Sequence, residues 1–149
     1  MNEQVLFAVG LGTLAATTLM TIFSYVIGRL RNRQFTEPVL LNHMLFRFRI
    51  LREDQVEKNI AGWIIHYFIG LLFLIIYHVI WSESRIDPTL QTGFILGCFS
   101  GIVGILGWSV MFRIRSAPPN IKVSEYFAQL FVAHIIFALT ATVLYRLVT

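Results

Sequence analysis

The sequence predicts an all-α membrane protein with four transmembrane helices, arranged as two tandem hairpins with one cytoplasmic interfacial helix. The composition predicts the class, because 56% of the residues are hydrophobic and only 13% are charged, whereas soluble domains carry about 25% charged residues. A repeated motif, in which a histidine precedes a tyrosine by eleven residues, predicts the two hairpins. Nearly the whole chain therefore belongs in or on a lipid bilayer.

Four apolar runs are long enough to cross a bilayer, for which about 20 residues suffice. We place these spans at about residues 5–28, 60–81, 90–112 and 126–147. They leave no room for a separate soluble domain, so we treat residues 1–149 as one four-helix transmembrane domain.

The basic residues indicate the orientation of the chain. Of the twelve Lys and Arg residues, seven lie between the first and second spans and three between the third and fourth. Because loops rich in Lys and Arg stay in the cytoplasm, we expect a bacterial inner-membrane protein with both termini in the periplasm. The net charge of +4 thus reflects topology, and we expect the lipid bilayer rather than nucleic acid as the partner.

Small and hydroxyl residues form a stripe along the first and third spans. Helices in lipid associate through close packing of small residues, so we expect these two spans to be the central helices. A hydroxyl-lined water path along span one and homodimerisation through span three are the alternatives. The stripes comprise Gly10, Thr13, Thr17, Thr21, Ser24 and Gly28 in span one, and Gly93, Gly97, Gly101, Gly104 and Trp108, with Ser100 beside them, in span three.

The repeated motif runs from His66 to Tyr77 and again from His134 to Tyr145. Eleven residues make about three helical turns, so each histidine shares a helix face with its tyrosine. We interpret the motif as a tandem repeat of hairpins related by an axis along the membrane normal. The ends of spans one and three support it: Arg29-Leu30-Arg31 precedes Pro38, and Arg113-Ile114-Arg115 precedes Pro118-Pro119.

Residues 36–50, between the first two spans, predict a cytoplasmic amphipathic helix. Thr36 can cap it and Pro38 suits its first turn. An apolar face would lie on the membrane, with arginines beside anionic lipid; a docking surface for a partner protein is the alternative. The apolar residues are Val39, Leu40, Met44 and Phe48, and the arginines are Arg47, Arg49 and Arg52.

His66 and His134 are the candidate functional residues, because a histidine inside an apolar span is costly and faces protein or a cavity. Three interpretations stay open. The imidazoles bond to hydroxyls and fix the helix register, or they bind a small ligand, ion or proton, or they are the axial ligands of a b-type haem. The hydroxyls would be Thr17, Thr21, Ser24 or Ser100, and the haem propionates would lie near Arg29, Arg31 or Arg113.

The sequence contains no catalytic motif such as GxSxG or HExxH, so we name no catalytic residue and favour a non-enzymatic protein. Two histidines without a nearby Cys or carboxylate are too few for zinc. All eight acidic residues lie outside the central parts of the spans, which argues against a proton-coupled exporter. We predict a membrane-complex subunit or a small-ligand- or ion-binding module; a haem electron-transfer protein and a transporter or channel-like homo-oligomer are the alternatives.

The segment His134-Ile-Ile-Phe137, the two His–Tyr motifs, the glycine-rich alternating spans and the Arg-then-Pro loops resemble small bacterial inner-membrane proteins of the YagU-like kind. The resemblance covers spans two to four and implies the same membrane topology. It implies no catalytic residue. The basic amphipathic insertion in the first hairpin departs from the pattern of that family.

Overall fold

The computed structural model describes residues 3–84, 86–114 and 121–149, and helices are the only regular elements within them. Four of the helices are long and apolar enough to cross a membrane, which confirms the predicted class. Arg115, Pro118 and Pro119 lie outside the described residues. The helices are α1 (Glu3–Arg31), α2 (Glu37–Arg47), α3 (Ala61–Glu83), α4 (Leu90–Ile114) and α5 (Val123–Val148), with a 3-10 turn at Glu53–Gln55.

The central helix of the bundle is α5, since both α1 and α4 pack along it. The prediction that spans one and three are central therefore holds for span one, since α1 packs against both α3 and α5, and is wrong for span three, whose place α5 takes. The physical reason is that α5 presents alanines that are fully buried, Ala133, Ala138 and Ala141. These small side chains let two neighbouring helices approach the same helix closely.

The glycine stripe of α4 is used against α5 within the chain. A Cβ atom at Gly97 would lie 2.7 Å from the Ile135 Cα atom, and one at Gly101 would lie 2.8 Å from the Phe131 ring. A Cβ atom at Gly93 would lie 2.5 Å from the Thr142 hydroxyl. These glycines therefore allow a backbone contact that any larger residue would disturb.

The stripe of α1 is buried from Thr13 to Gly28, but Gly10 does not share in it. Gly10 is exposed, and a Cβ atom there would meet nothing within 4 Å. In the first turns of α1 the buried face lies instead at Ala8, Val9 and Gly12. The prediction that Gly10 packs against another helix of the chain is wrong, because the contact face rotates around α1 along its length.

The chain reverses sharply after α1 and returns to the bundle. Asn32 adopts a left-handed conformation with φ 52°, and the Arg33 backbone N–H donates to the Gly28 carbonyl at 2.8 Å, which is a common helix ending. Glycine at position 28 leaves space for the returning chain, because a Cβ atom there would lie 2.8 Å from the Arg33 carbonyl oxygen. The reversal places Phe35 in the core beside Tyr126, at 6.0 Å between ring centroids.

Helix α2 packs against α3, and its apolar residues Leu40, Leu41 and Met44 lie in the protein core. The prediction that Leu40 and Met44 face the membrane is wrong, because the reversal turns this side of α2 toward the bundle. The side chain of Asn42 fixes the contact: its amide group donates to the Val56 and Asn59 carbonyls, and its Oδ1 accepts from the Gly62 backbone N–H at 2.8 Å. Arg47 is half-buried, and Arg49 and Arg52 are exposed.

The contacts between helices do not follow a twofold symmetry. Such a symmetry would make the α1–α5 contact equivalent to that between α3 and α4, yet α1 packs along α5 whereas α3 and α4 pack against each other much less. Tyr77 bridges α3 and α4 by donating to the Ser100 hydroxyl at 2.8 Å. Nearer the end of the bundle that carries α2, the two helices leave a gap.

Candidate functional site

A cavity of about 190 Å³ lies inside the bundle beside α2, and all five α-helices contribute to its wall. His66 from α3 and His134 from α5 both line it, so the fold brings the two candidate histidines to one site. The wall also includes Ile69 and Val103, which are 38% and 55% exposed. The cavity therefore opens to the apolar outer surface through the gap between α3 and α4.

His66 is held by a hydroxyl of α1. Its Nε2 atom lies 3.0 Å from the Thr21 hydroxyl, which itself donates to the Thr17 carbonyl at 2.8 Å. Since that hydroxyl has only one hydrogen, it accepts from His66, and Nε2 carries the proton. Among the predicted hydroxyl partners of His66, Thr21 is the one that makes the contact.

His134 bonds within its own helix. Its Nδ1 atom lies 2.9 Å from the Leu130 carbonyl oxygen, which can only accept, so Nδ1 carries the proton and Nε2 is the acceptor of the neutral ring. The imidazole lies against the backbone of Gly104, where a Cβ atom would come within 2.9 Å of Nε2. Gly104 therefore makes room for the ring, which lines the cavity.

The residue that sequence reasoning missed is Glu37, at the start of α2. It is 2% exposed and lines the same cavity as the histidines. Its Oε1 atom accepts from the Ser24 hydroxyl at 2.5 Å and from the Gln129 amide at 3.5 Å. The argument against proton-coupled proteins, which assumed no carboxylate inside the bundle, therefore does not hold. No sequence signal points to this placement, because a carboxylate between two spans is ordinarily solvated.

Burial changes the acidity of Glu37, which lies outside the four spanning helices. Loss of water around the carboxyl raises its pKa from the usual 4.5 to about 7, although the hydrogen bonds from Ser24 and Gln129 act in the lowering direction. A carboxyl with such a pKa changes its charge near neutral pH.

Several buried polar atoms, some of them at the cavity, have no hydrogen-bond partner among the residues that the structure describes. Such groups are uncommon in folded proteins and call for an explanation. The carboxylate oxygen Oε2 of Glu37 is one, and Thr17, which also lines the cavity, contributes its hydroxyl. Within the described ranges these atoms are Thr13 Oγ1, Thr17 Oγ1, Glu37 Oε2, Trp81 Nε1, Tyr126 Oη and Gln129 Oε1.

The two tyrosines of the repeated motif do not line the cavity. Tyr77 bonds to Ser100, and the Tyr145 hydroxyl lies 2.7 Å from His78 Nδ1. Trp81 packs between them, with ring centroids 5.9 Å from Tyr77 and 4.6 Å from Tyr145. These residues form an aromatic cluster at the other end of the bundle. His78 is part of this cluster.

The arrangement does not fit a haem. Nε2 of His66, the atom that would bind iron, donates to Thr21, and His134 lies against the backbone of Gly104. A cavity of about 190 Å³ is also smaller than the roughly 300–1,000 Å³ of ordinary small-molecule pockets, and a haem needs more. Within the described part of the chain, no group of three His, Cys, Asp or Glu residues could hold a metal ion.

The fold and the site together define a multi-pass α-helical membrane protein with a small, partly polar cavity that opens sideways. Comparison with protein-family models found no matching family. Comparisons with curated proteins and with solved structures likewise found no match. The resemblance to YagU-like proteins remains a prediction.

Proposed function

We propose that this protein is a non-enzymatic membrane protein that binds a small molecule, about the size of one ring, in the cavity between His66 and His134. The observation that carries the proposal is the shared cavity itself, in which two buried imidazoles face a mostly apolar space. An apolar cavity of about 150 Å³ binds benzene, and the volume here is about 190 Å³.

The membrane setting of the proposal is a bacterial inner membrane with both termini in the periplasm, as the basic connections indicate. We also propose that α2 lies at the cytoplasmic interface, where the exposed Arg49 and Arg52 would meet anionic lipid headgroups. We propose as well that the two hairpins are a tandem repeat in sequence and that the protein is related to YagU-like proteins.

The opening of the cavity favours a ligand that arrives through the bilayer. Ile69 on α3 and Val103 on α4 are both apolar and exposed at the gap, and no Lys, Arg or Asp among the described residues lines the cavity. A molecule that partitions into lipid could enter between the two helices. A membrane-complex partner or a homo-oligomer remains compatible with this site.

The test uses fluorescence quenching of Trp108, which lines the cavity. Substitutions Trp63→Phe and Trp81→Phe leave Trp108 as the reporter, since the chain has three tryptophans. The full chain in detergent is titrated with 4-bromobenzyl alcohol, whose bromine quenches nearby indoles. We expect saturable quenching in addition to any linear component from probe in the micelle.

Two variants fill the cavity, and one matched variant does not. Gly107→Leu and Val103→Phe change lining residues. A Cβ atom at Gly107 meets nothing within 4 Å, so its substitution does not push α4 away from the neighbouring helices. Gly10→Leu is the control, because Gly10 is equally uncrowded and lies away from the cavity. The proposal predicts that saturation survives in Gly10→Leu and is lost in both filled variants; linear quenching in all proteins would contradict it.

A further inference from the structure

Two buried acceptor atoms at the α2 end of the cavity receive no hydrogen bond from the described residues. Glu37 Oε2 and Gln129 Oε1 are buried and lack hydrogen-bond partners within the described residues. The available donors near them, the Ser24 hydroxyl and the Gln129 amide, are both directed at Glu37 Oε1. The hydroxyls of Thr17 and Tyr126 also lack partners, but neither donates to Glu37 Oε2, so this carboxylate oxygen has room for a donor from a ligand.

A cationic donor would also balance the charge of ionised Glu37. Glu37 forms no ion pair with any described Lys, Arg or His residue, and an ionised carboxylate buried without a partner is costly. No helix supplies the opposite charge: among the cavity-lining residues, α1 and α4 contribute no titratable side chain. A cationic ligand would satisfy the Oε2 atom and neutralise the charge in one step.

The rest of the wall suits the apolar body of such a ligand. Phe73, Trp108 and Phe137 line the cavity, and aromatic faces attract cations as well as apolar groups. The opening between α3 and α4 faces the outer, apolar surface. A metal ion would lack ligands here, and a lipid acyl chain would leave the Glu37 carboxylate without a donor.

We infer that the ligand of this cavity is a small lipophilic amine, whose ammonium group pairs with the Glu37 carboxylate while its apolar body lies beside His66 and His134. This inference rests on the proposed function and names the chemical class of the ligand. Glu37 is the residue that would select an amine over a neutral molecule of the same shape.

The inference carries a pH dependence. Ammonium binding needs ionised Glu37, and burial raises the pKa of this carboxyl to about 7. The titratable groups that face it are His66 on α3 and His134 and Tyr126 on α5; protonation of either imidazole would repel the ammonium group and act in the same direction. Amine affinity should thus weaken by about tenfold for each pH unit below about 7.

The experiment compares 4-bromobenzylamine with 4-bromobenzyl alcohol in the Trp108 quenching assay at pH 8. The two probes have nearly the same shape, but only the amine carries a cation. We expect the amine to bind at least tenfold more tightly than the alcohol. Glu37→Gln should raise the Kd of the amine at least tenfold and change that of the alcohol less than twofold, whereas Glu53→Gln, which alters an exposed acid, should change neither.

The outcomes separate this inference from the proposed function. If both probes saturate with similar Kd values, or Glu37→Gln weakens both equally, the amine inference is overturned and the small-molecule site stands. If neither probe saturates, both proposals fail. Should Glu37→Gln prevent folding, the pH series on the unchanged Glu37 decides: the amine must lose affinity below pH 7 while the alcohol does not, and parallel curves would overturn the inference.

Discussion

The Ser24 hydroxyl of α1 donates a 2.5 Å hydrogen bond to the Glu37 carboxylate of α2, across a complete reversal of the chain. This contact fixes a carboxyl group inside a bundle whose spanning helices otherwise contribute uncharged residues to the cavity. The reversal at Asn32 and the close approach at Gly28 make it possible. The position of Glu37 is thus a consequence of how one helix ends.

Replacing Glu37 with glutamine should remove a pH dependence of stability. The folded-state pKa is about 7 against an ordinary value of 4.5, so the folded protein keeps a proton that the unfolded chain loses between these pH values. The contribution of Glu37 to stability is therefore greatest below about pH 4.5 and is lost as the pH rises through about 7. The difference corresponds to roughly 3 kcal/mol.

This prediction is measured as the melting temperature in detergent from pH 4.5 to 8, for the natural sequence and for Glu37→Gln. The difference between the two curves isolates Glu37 from the histidines. Glu53→Gln, on an exposed acid, is the control and should follow the natural sequence. Parallel curves for all three proteins would show that Glu37 does not titrate in this range.

Thr21→Val should destabilise the protein by about 1–3 kcal/mol, because it keeps the shape of the side chain and leaves the buried His66 N–H without an acceptor. Thr18→Val is the matched control on the exposed side of α1, where the Thr18 hydroxyl lies 2.8 Å from the Tyr67 hydroxyl. We expect about 0.6 kcal/mol there, as for typical bonds between membrane helices. Equal losses in chemical unfolding would contradict the assigned role of Thr21.

Gly97→Leu should destabilise the bundle by about 1–3 kcal/mol or more, because its Cβ atom would lie 2.7 Å from the Ile135 backbone. Gly10→Leu, with nothing within 4 Å of its Cβ atom, should change stability far less. Light scattering of both variants tests the alternative that the glycine stripe of α4 serves homodimerisation. If Gly97→Leu separates an oligomer into stably folded monomers, the glycine face serves contacts between copies and not the α4–α5 contact.

Asn42→Ala should lower stability by about 1–3 kcal/mol, since it leaves the Gly62 N–H and two loop carbonyls without their partner. The variant should also loosen α2, which can be followed by hydrogen exchange of residues 37–47. Gln91→Ala changes an exposed amide and serves as the control. Unchanged exchange in α2 would mean that Asn42 does not hold this helix.

The absorption spectrum of protein expressed with ample haem supply should show no Soret band in either the oxidised or the dithionite-reduced state. The physical reason is that His66 Nε2 is already hydrogen-bonded to the Thr21 hydroxyl and that the cavity is too small for a haem. A Soret band that sharpens on reduction and disappears in His66→Ala would contradict this expectation and require a rearranged site.

By itself the sequence determined the number of membrane-spanning helices, because length and hydropathy act locally along the chain. It also identified His66 and His134 as candidates, since an imidazole in an apolar run stands out whatever the fold. The sequence also predicts that His66 bonds to a hydroxyl group of a neighbouring helix, and Thr21 is among the four expected partners.

Only the tertiary structure decided that α5 is central, that the glycines of α4 lie against it, and that Gly10 lies outside the α1 contact. Helix packing depends on which faces meet, and small residues on several helices satisfy the same pattern. Glu37 could not be placed from the sequence, because a carboxylate between two spans is ordinarily solvated. Its burial follows from the three-dimensional path of the chain, which returns from Asn32 and inserts α2 against the bundle.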